Sequence, residues 1–227
     1  MSSPVFERIA IIGIGLIGSS IARAALERGA AGGVSIHDAS AEARSRAREL
    51  GLGDVADTPQ EAVAQADAVF LCVPVGAMKA AAGAAVAHMK PGAILTDVGS
   101  VKSSVARDLE GFAASGVHVI PGHPIAGTEK SGPDAGFASL FEGRWCILTP
   151  LPGMERGYSE ATDRLAAFWE RLGSRLEIMD AQRHDLVLAI TSHVPHLIAF
   201  NIVATAHDME TVTEGEVVKF SASGFRD

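Results

Sequence analysis

Short β-branched runs alternate with alanine-rich stretches of helical period through the first three-quarters of the chain. That alternation predicts a parallel sheet with crossover helices. Strands are expected at Arg8–Ile12, Val34–His37, Ala68–Cys72, Ala93–Asp97, Val117–Ile120, Trp145–Leu148 and Arg175–Ile178. Helices are expected over Leu16–Glu27, Ala41–Leu50, Gly76–Met89 and Glu160–Arg171, with Gly29, Gly51 and Gly173 at their C-terminal caps. The fold class is therefore α/β, with a doubly wound, mostly parallel sheet.

After Met179 the pattern changes. Residues Ala181 to about Met209 read as a long helix with Leu186, Val187, Ile190, Leu197, Ile198 and Val203 as its apolar positions, and no strand follows it. Pro195 removes a backbone donor and should kink or divide this helix. Two domains are expected, residues 1–179 carrying the sheet and residues 180–227 beginning an all-helical one. The chain stops at Phe225-Arg226-Asp227 without a polar tail, so the helical domain is expected to be cut short. An apolar helix of this kind needs another subunit or further residues to cover it.

The chain has 227 residues, 48% of them hydrophobic and 20% charged, enough for a packed core and unlike a disordered chain or a coiled coil. Aromatics are only 5% and the net charge is −8 without a basic run, so nucleic acid and anionic membranes are poor partners. The first apolar strand is too short for export or spanning, and no basic region precedes it. Cys72 and Cys146 lie in apolar surroundings, where free buried thiols are the default. These features favour a cytoplasmic setting.

The first strand runs from Ile9 to Ile12 into Gly13-Ile14-Gly15-Leu16-Ile17-Gly18, and a helix follows at once. Glycine spacing alone is a weak signal, but this context is strong. Gly13 permits a tight turn, Gly15 lets the backbone approach a pyrophosphate, and Gly18 lets the helix pack on the strand. A pyrophosphate would sit at the helix N-terminus, by Leu16 and Ile17. The second strand ends at Asp38, about 20 residues past the last glycine, where a carboxylate accepts hydrogen bonds from an adenosine ribose. Asp38 would repel a 2′-phosphate and no arginine follows until Arg44, so NAD is favoured over NADP. This makes the sheet domain Rossmann-type. Val73 and Pro74, at the end of the third expected strand, either line the cofactor or merely end the strand.

Two later segments are richer in chemistry than a dinucleotide fold requires. Asp97-Val98-Gly99-Ser100-Val101-Lys102 passes from a strand end into a helix, and Ser100 falls near the N-cap, so capping competes with chemistry as its role. The segment from Gly122 to Gly132, expected as a loop after the fifth strand, contains His123, Gly127, Thr128 and Glu129. Both segments follow strand C-terminal ends, where a nicotinamide should lie.

Those two segments, with Gly13 to Gly18, Ile147-Leu148-Thr149-Pro150 and Ser192-His193-Val194-Pro195-His196, resemble the prephenate/arogenate dehydrogenases of tyrosine biosynthesis. The resemblance runs in order from Arg8 to Asp227. It implies oxidative decarboxylation: a cyclohexadienol loses hydride to NAD and its ring carboxylate as carbon dioxide, leaving a phenol. By position His123 accepts the hydroxyl proton, and Ser100 hydrogen-bonds both His123 and that hydroxyl. Gly99 joins the cofactor set. Gly127, Thr128, Glu129, Ser192, His193, His196 and Arg226 form the substrate set, with His196 in the pocket and His193 nearby. Glu129 either gates the pocket, distinguishes the amino group of arogenate from the keto group of prephenate, or is a solvated loop charge.

The resemblance also implies a homodimer through the helical domain and admits tyrosine as a feedback inhibitor. A dianionic substrate calls for an arginine clamp. Arg226 is the candidate here, although the family's pattern continues to a second arginine beyond Asp227. His193 and His196, three apart, should share a helix face. No third ligand stands at a metal-binding spacing, so no metal is expected. His37, His88, His118, His184 and His207 match no catalytic position and are read as structural. Two rivals stay open. One is another hydroxyacid or imine reductase using a lysine or tyrosine acid, with Lys102 and Lys130 as the lysines. The other is a non-catalytic NAD-binding regulator.

Overall fold

The structure, a computed structural model, describes residues 3–153 and 157–213, with side chains through Met209. Strands β1 (Phe6–Ile12), β2 (Ala31–His37), β3 (Asp54–Val55), β4 (Ala68–Leu71), β5 (Ile94–Asp97) and β6 (His118–Val119) form one sheet in the order β3-β2-β1-β4-β5-β6. Every pairing in it is parallel. Strand order reverses between β1 and β4, which opens a crevice at their carboxyl ends. The central strands are buried on both faces, which is why Ile9 to Ile12 and Ala68 to Leu71 read as continuous apolar runs and not as alternation.

The crossover helices are α1 (Leu16–Glu27), α2 (Ala41–Glu49), α3 (Pro59–Val63), α4 (Met78–Ala85) and α5 (Ser103–Leu109). Helix α1 buries mainly small residues, from Gly18 to Ala25, and so approaches the sheet closely. Gly29, Gly51 and Gly173 follow the C-caps of α1, α2 and α6 (Tyr158–Arg171) with φ of +62°, +63° and +93°, the left-handed conformation expected there. Helix α6 returns to the sheet and places Phe168 against Phe70 and Phe6, with ring centroids 5.0 and 5.6 Å apart. Phe141 and Trp169 join them, so five aromatic rings gather in one part of the core.

The expectation that all strands share one mostly parallel sheet is corrected in two respects. The chain leaves the sheet after β6, because Pro121 has no N–H and Gly122 N–H is taken by the Asp97 carboxylate at 3.2 Å. Gly122–Pro124, expected as loop, is then a strand, β7, antiparallel to β8 (Trp145–Leu148), which pairs in parallel with β9 (Arg175–Ile178). Two of the strands assigned to the main sheet therefore belong to a second, three-stranded one. The two-residue β3 and the five-residue α3 were too short to stand out in the pattern.

The chain divides into two compact units, Met1–His184 and Asp185–Asp227, and the division falls within α7 (Ala181–Leu188). Beyond α7, a π-helical turn at Ala189–His193 leads into α8 (Val194–Thr213). Pro195 lies in the first turn of α8, so the widened turn before it absorbs the missing donor and the helix continues. Leu186, Ile190, Leu197, Ile198 and Phe200 are exposed, Phe200 by 72%. By length and composition alone this 29-residue stretch is apolar enough to cross a bilayer.

Candidate active site

The glycine turn after β1 sets the first half of the site. Gly13 has φ +99°, and a Cβ there would come within 2.5 Å of Cys72 O. A Cβ at Gly18 would strike Gly13 O, so α1 could not start where it does. Nothing lies within 4 Å of a Cβ at Gly15, which leaves space above the backbone. Helix α1 has no side-chain cap and no acidic residue in its first turn, so the N–H groups of Leu16 and Ile17 lie at an uncompensated positive end. That cradle fits a pyrophosphate.

A cavity of about 540 Å³ adjoins it, lined by Gly13, Gly15, Asp38, Val73, Pro74 and alanines of α4 among others. Asp38 accepts from Ile14 N–H and Ser40 N–H, both at 2.8 Å, so its carboxylate is fixed at the rim of the glycine turn. Arg44, the first arginine after Asp38, is turned to the carbonyls of Asp38 and Ala39 at 2.8 and 3.3 Å. Cys72 also lines the cavity and is only half-buried by exposed area, not buried as expected, while Cys146 is buried. Burial pushes both thiols well up, so neither is a ready nucleophile.

The second half is built on the ends of β5 and β6. Asp97 and Lys102, both fully buried, form an ion pair, and Lys102 Nζ also donates to Gly122 O at 2.7 Å. Gly99 N–H donates to Asp97 Oδ2 at 2.7 Å, and a Cβ at Gly99 would meet that oxygen and Met78 Cε at 2.9 Å. Gly99 is thus buried in the turn and does not line the cavity. The turn presents Ser100 as an exposed residue. Lys102, not Ser100, is the N-cap of α5, so capping does not account for the serine.

His123 lies on β7 opposite Ile147 and is half-buried. Thr149 N–H donates to Pro121 O at 2.9 Å, so the Ile147-Leu148-Thr149-Pro150 segment fixes the chain just before His123. Gly127, Thr128 and Glu129 are exposed, and Thr128 Oγ1 accepts from Lys130 N–H at 3.2 Å. His184 is fully buried, where a surface or partly buried position was expected, and its ring puts Nε2 2.9 Å from Nδ1 of His123. The residues are 61 positions apart, and nothing in Ala181-Gln182-Arg183-His184 signals the contact.

In the second unit, His196 Nδ1 donates to Ser192 O at 2.8 Å, which leaves Nε2 for other partners. His193 is the last residue of the π-helical turn and His196 lies in the first turn of α8. Arg226 lies outside the described residues.

Two family descriptions match this chain: the nucleotide-binding domain of prephenate dehydrogenase over residues 21–178 and its dimerization domain over residues 180–227. The chain belongs to the prephenate dehydrogenase family. It is 45% identical over 224 residues to a cyclohexadienyl dehydrogenase of Zymomonas mobilis, covering 98% of this chain and 75% of that one. It is 33% identical to a prephenate dehydrogenase of Lactococcus lactis, covering 97% of this chain and 60% of that one. The prephenate dehydrogenase of Aquifex aeolicus, solved with hydroxyphenyl propionate and NAD+, superposes with a TM-score of 0.87 at 31% identity, covering 100% of this chain and 77% of that one. Family membership makes the chain a dinucleotide-dependent oxidoreductase with a Rossmann-type domain.

Proposed function

We propose that this protein oxidatively decarboxylates prephenate, or arogenate, with NAD+ as acceptor, on the route to tyrosine. The observation that carries the reading is His123, held at the end of the parallel sheet by the Asp97–Lys102 pair, in a chain whose glycine turn and Asp38 suit NAD+. Bound NAD+ supplies the hydride acceptor. His123 takes the hydroxyl proton as hydride leaves the same carbon, which turns that carbon into a carbonyl. Loss of the ring carboxylate as carbon dioxide sends its electron pair through the ring to this oxygen, which regains the proton as a phenol. Ser100 orients the hydroxyl against His123. Gly127, Thr128, Glu129, Ser192, His193, His196 and Arg226 are the proposed substrate contacts, and Gly13, Gly15, Leu16, Ile17, Gly18, Asp38, Val73 and Pro74 the proposed cofactor set, from which Gly99, buried in its turn, drops out.

The fixed Asp38 carboxylate and the engaged Arg44 support NAD+ over NADP+. The reductase rival loses its acids: Lys102 is sealed in its ion pair, Lys130 is exposed on a loop, and Tyr158, the only tyrosine, bonds to backbone at both its donor and acceptor. We further propose a boundary at residues 179/180, a homodimer formed through the apolar helix of residues 181–209, and a cytoplasmic location. Tyrosine is proposed as a feedback inhibitor on the resemblance alone.

The test is formation of reduced nicotinamide and carbon dioxide from prephenate and from arogenate, each with NAD+ and NADP+. Equimolar products with NAD+ support the reading. Tight NAD+ binding without turnover of either substrate favours the regulator and overturns it.

A further inference from the structure

We propose that His184 is a positioning residue that fixes the tautomer of His123, an inference that rests on the assignment of His123 as proton acceptor. The two rings stand 5.1 Å apart between centroids, tilted by 58°, with Nδ1 of His123 2.9 Å from Nε2 of His184. Two neutral imidazoles can make this bond in only one of two ways, because one nitrogen must carry the hydrogen and the other a lone pair. If His184 donates, the hydrogen of His123 is on Nε2, and the ring has no free lone pair for a substrate proton. If His184 accepts, His123 carries its hydrogen on Nδ1, and Nε2 is a base.

Only the second arrangement is productive, and the surroundings hold the two rings where it can form. His184 is fully buried at the start of α7, with its backbone N–H donating to Asp180 O at 3.0 Å. The His123 backbone is pinned between the β8 pairing and Gly122, whose carbonyl and N–H are taken by Lys102 and Asp97. The bond to His184 restricts rotation of the His123 ring. When His123 takes the proton, the bond becomes charge-assisted and strengthens, so His184 favours the state formed during reaction over the resting one. The neighbouring charged groups, Lys102 and Asp97, neutralise each other, and the Cys146 thiol stays neutral because burial pushes its pKa well up.

The test combines nitrogen-15 NMR of histidine-labelled protein with kinetics of His184→Phe and His184→Gln. Phenylalanine fills the space without an acceptor; glutamine retains one. Wild type should show His123 protonated on Nδ1 and bare on Nε2. His184→Phe should lose that signature and lower kcat by roughly 100-fold, while KM and NAD+ affinity stay within a few-fold. His184→Gln should recover most of both readouts. A wild-type His123 protonated on Nε2, or a phenylalanine variant with unchanged signals and kcat, overturns the proposal. The NMR reading requires no turnover, so it fails or stands separately from the dehydrogenase assignment. Should His184→Phe not fold, the wild-type spectrum and the glutamine variant still decide.

Discussion

Lys102 and Asp97 form an ion pair wholly shielded from solvent, and it ties the turn carrying Ser100 to the strand carrying His123. The lysine reaches Gly122 O and the carboxylate takes Gly122 N–H, so both backbone groups before His123 depend on the pair. Removing one partner strands the other as a buried charge. We predict that Lys102→Met lowers unfolding free energy by about 3–5 kcal/mol, and that adding Asp97→Asn returns part of the loss. Urea denaturation of the single and double variants checks this. A single variant within error of wild type would refute the role given to the pair.

Tyr158 accepts from Leu151 N–H at 2.6 Å and donates to Val119 O at 2.8 Å, and burial pushes its pKa up to about 12. Tyr158→Phe should cost roughly 1–3 kcal/mol, since both buried backbone groups lose their partner. The folded pKa lies above the unfolded one, so the stability it contributes is complete below about pH 10 and is lost as pH rises through about 12. Ultraviolet titration of this only tyrosine reads the transition directly. A midpoint at the unperturbed value would contradict the environment described.

Asp38→Ala should weaken NAD+ binding by about tenfold and narrow the preference over NADP+, because the ribose loses its acceptor and a 2′-phosphate loses its repulsion. The substitution also frees the N–H groups of Ile14 and Ser40. Calorimetric titration with both nucleotides tests it, and an unchanged ratio means that the ribose is read elsewhere.

Which parts of this molecule could be read in the sequence follows from the range of the interactions involved. Local signals sufficed for the central strands of the main sheet, which are buried apolar runs, and for the helix stops at Gly29, Gly51 and Gly173. They also sufficed to place the glycine turn and Asp38 together within one βαβ unit. Strand β7 was not legible, since three residues containing a glycine and a proline become a strand only when Trp145–Leu148 arrives to pair with them. The π-helical turn before Pro195 was equally hidden, because regular spacing assumes the α-helix that the proline distorts. His184 reaches His123 only after the whole sheet domain has folded, and no spacing rule spans that distance.

The central claim is that His123 acts on the substrate and not on the cofactor. Its most direct test is His123→Asn, with turnover of prephenate and arogenate measured beside calorimetric NAD+ affinity. The account predicts that turnover is lost while NAD+ affinity stays within a few-fold of wild type. Retained turnover, or a loss of NAD+ binding as large as the loss of turnover, would contradict it.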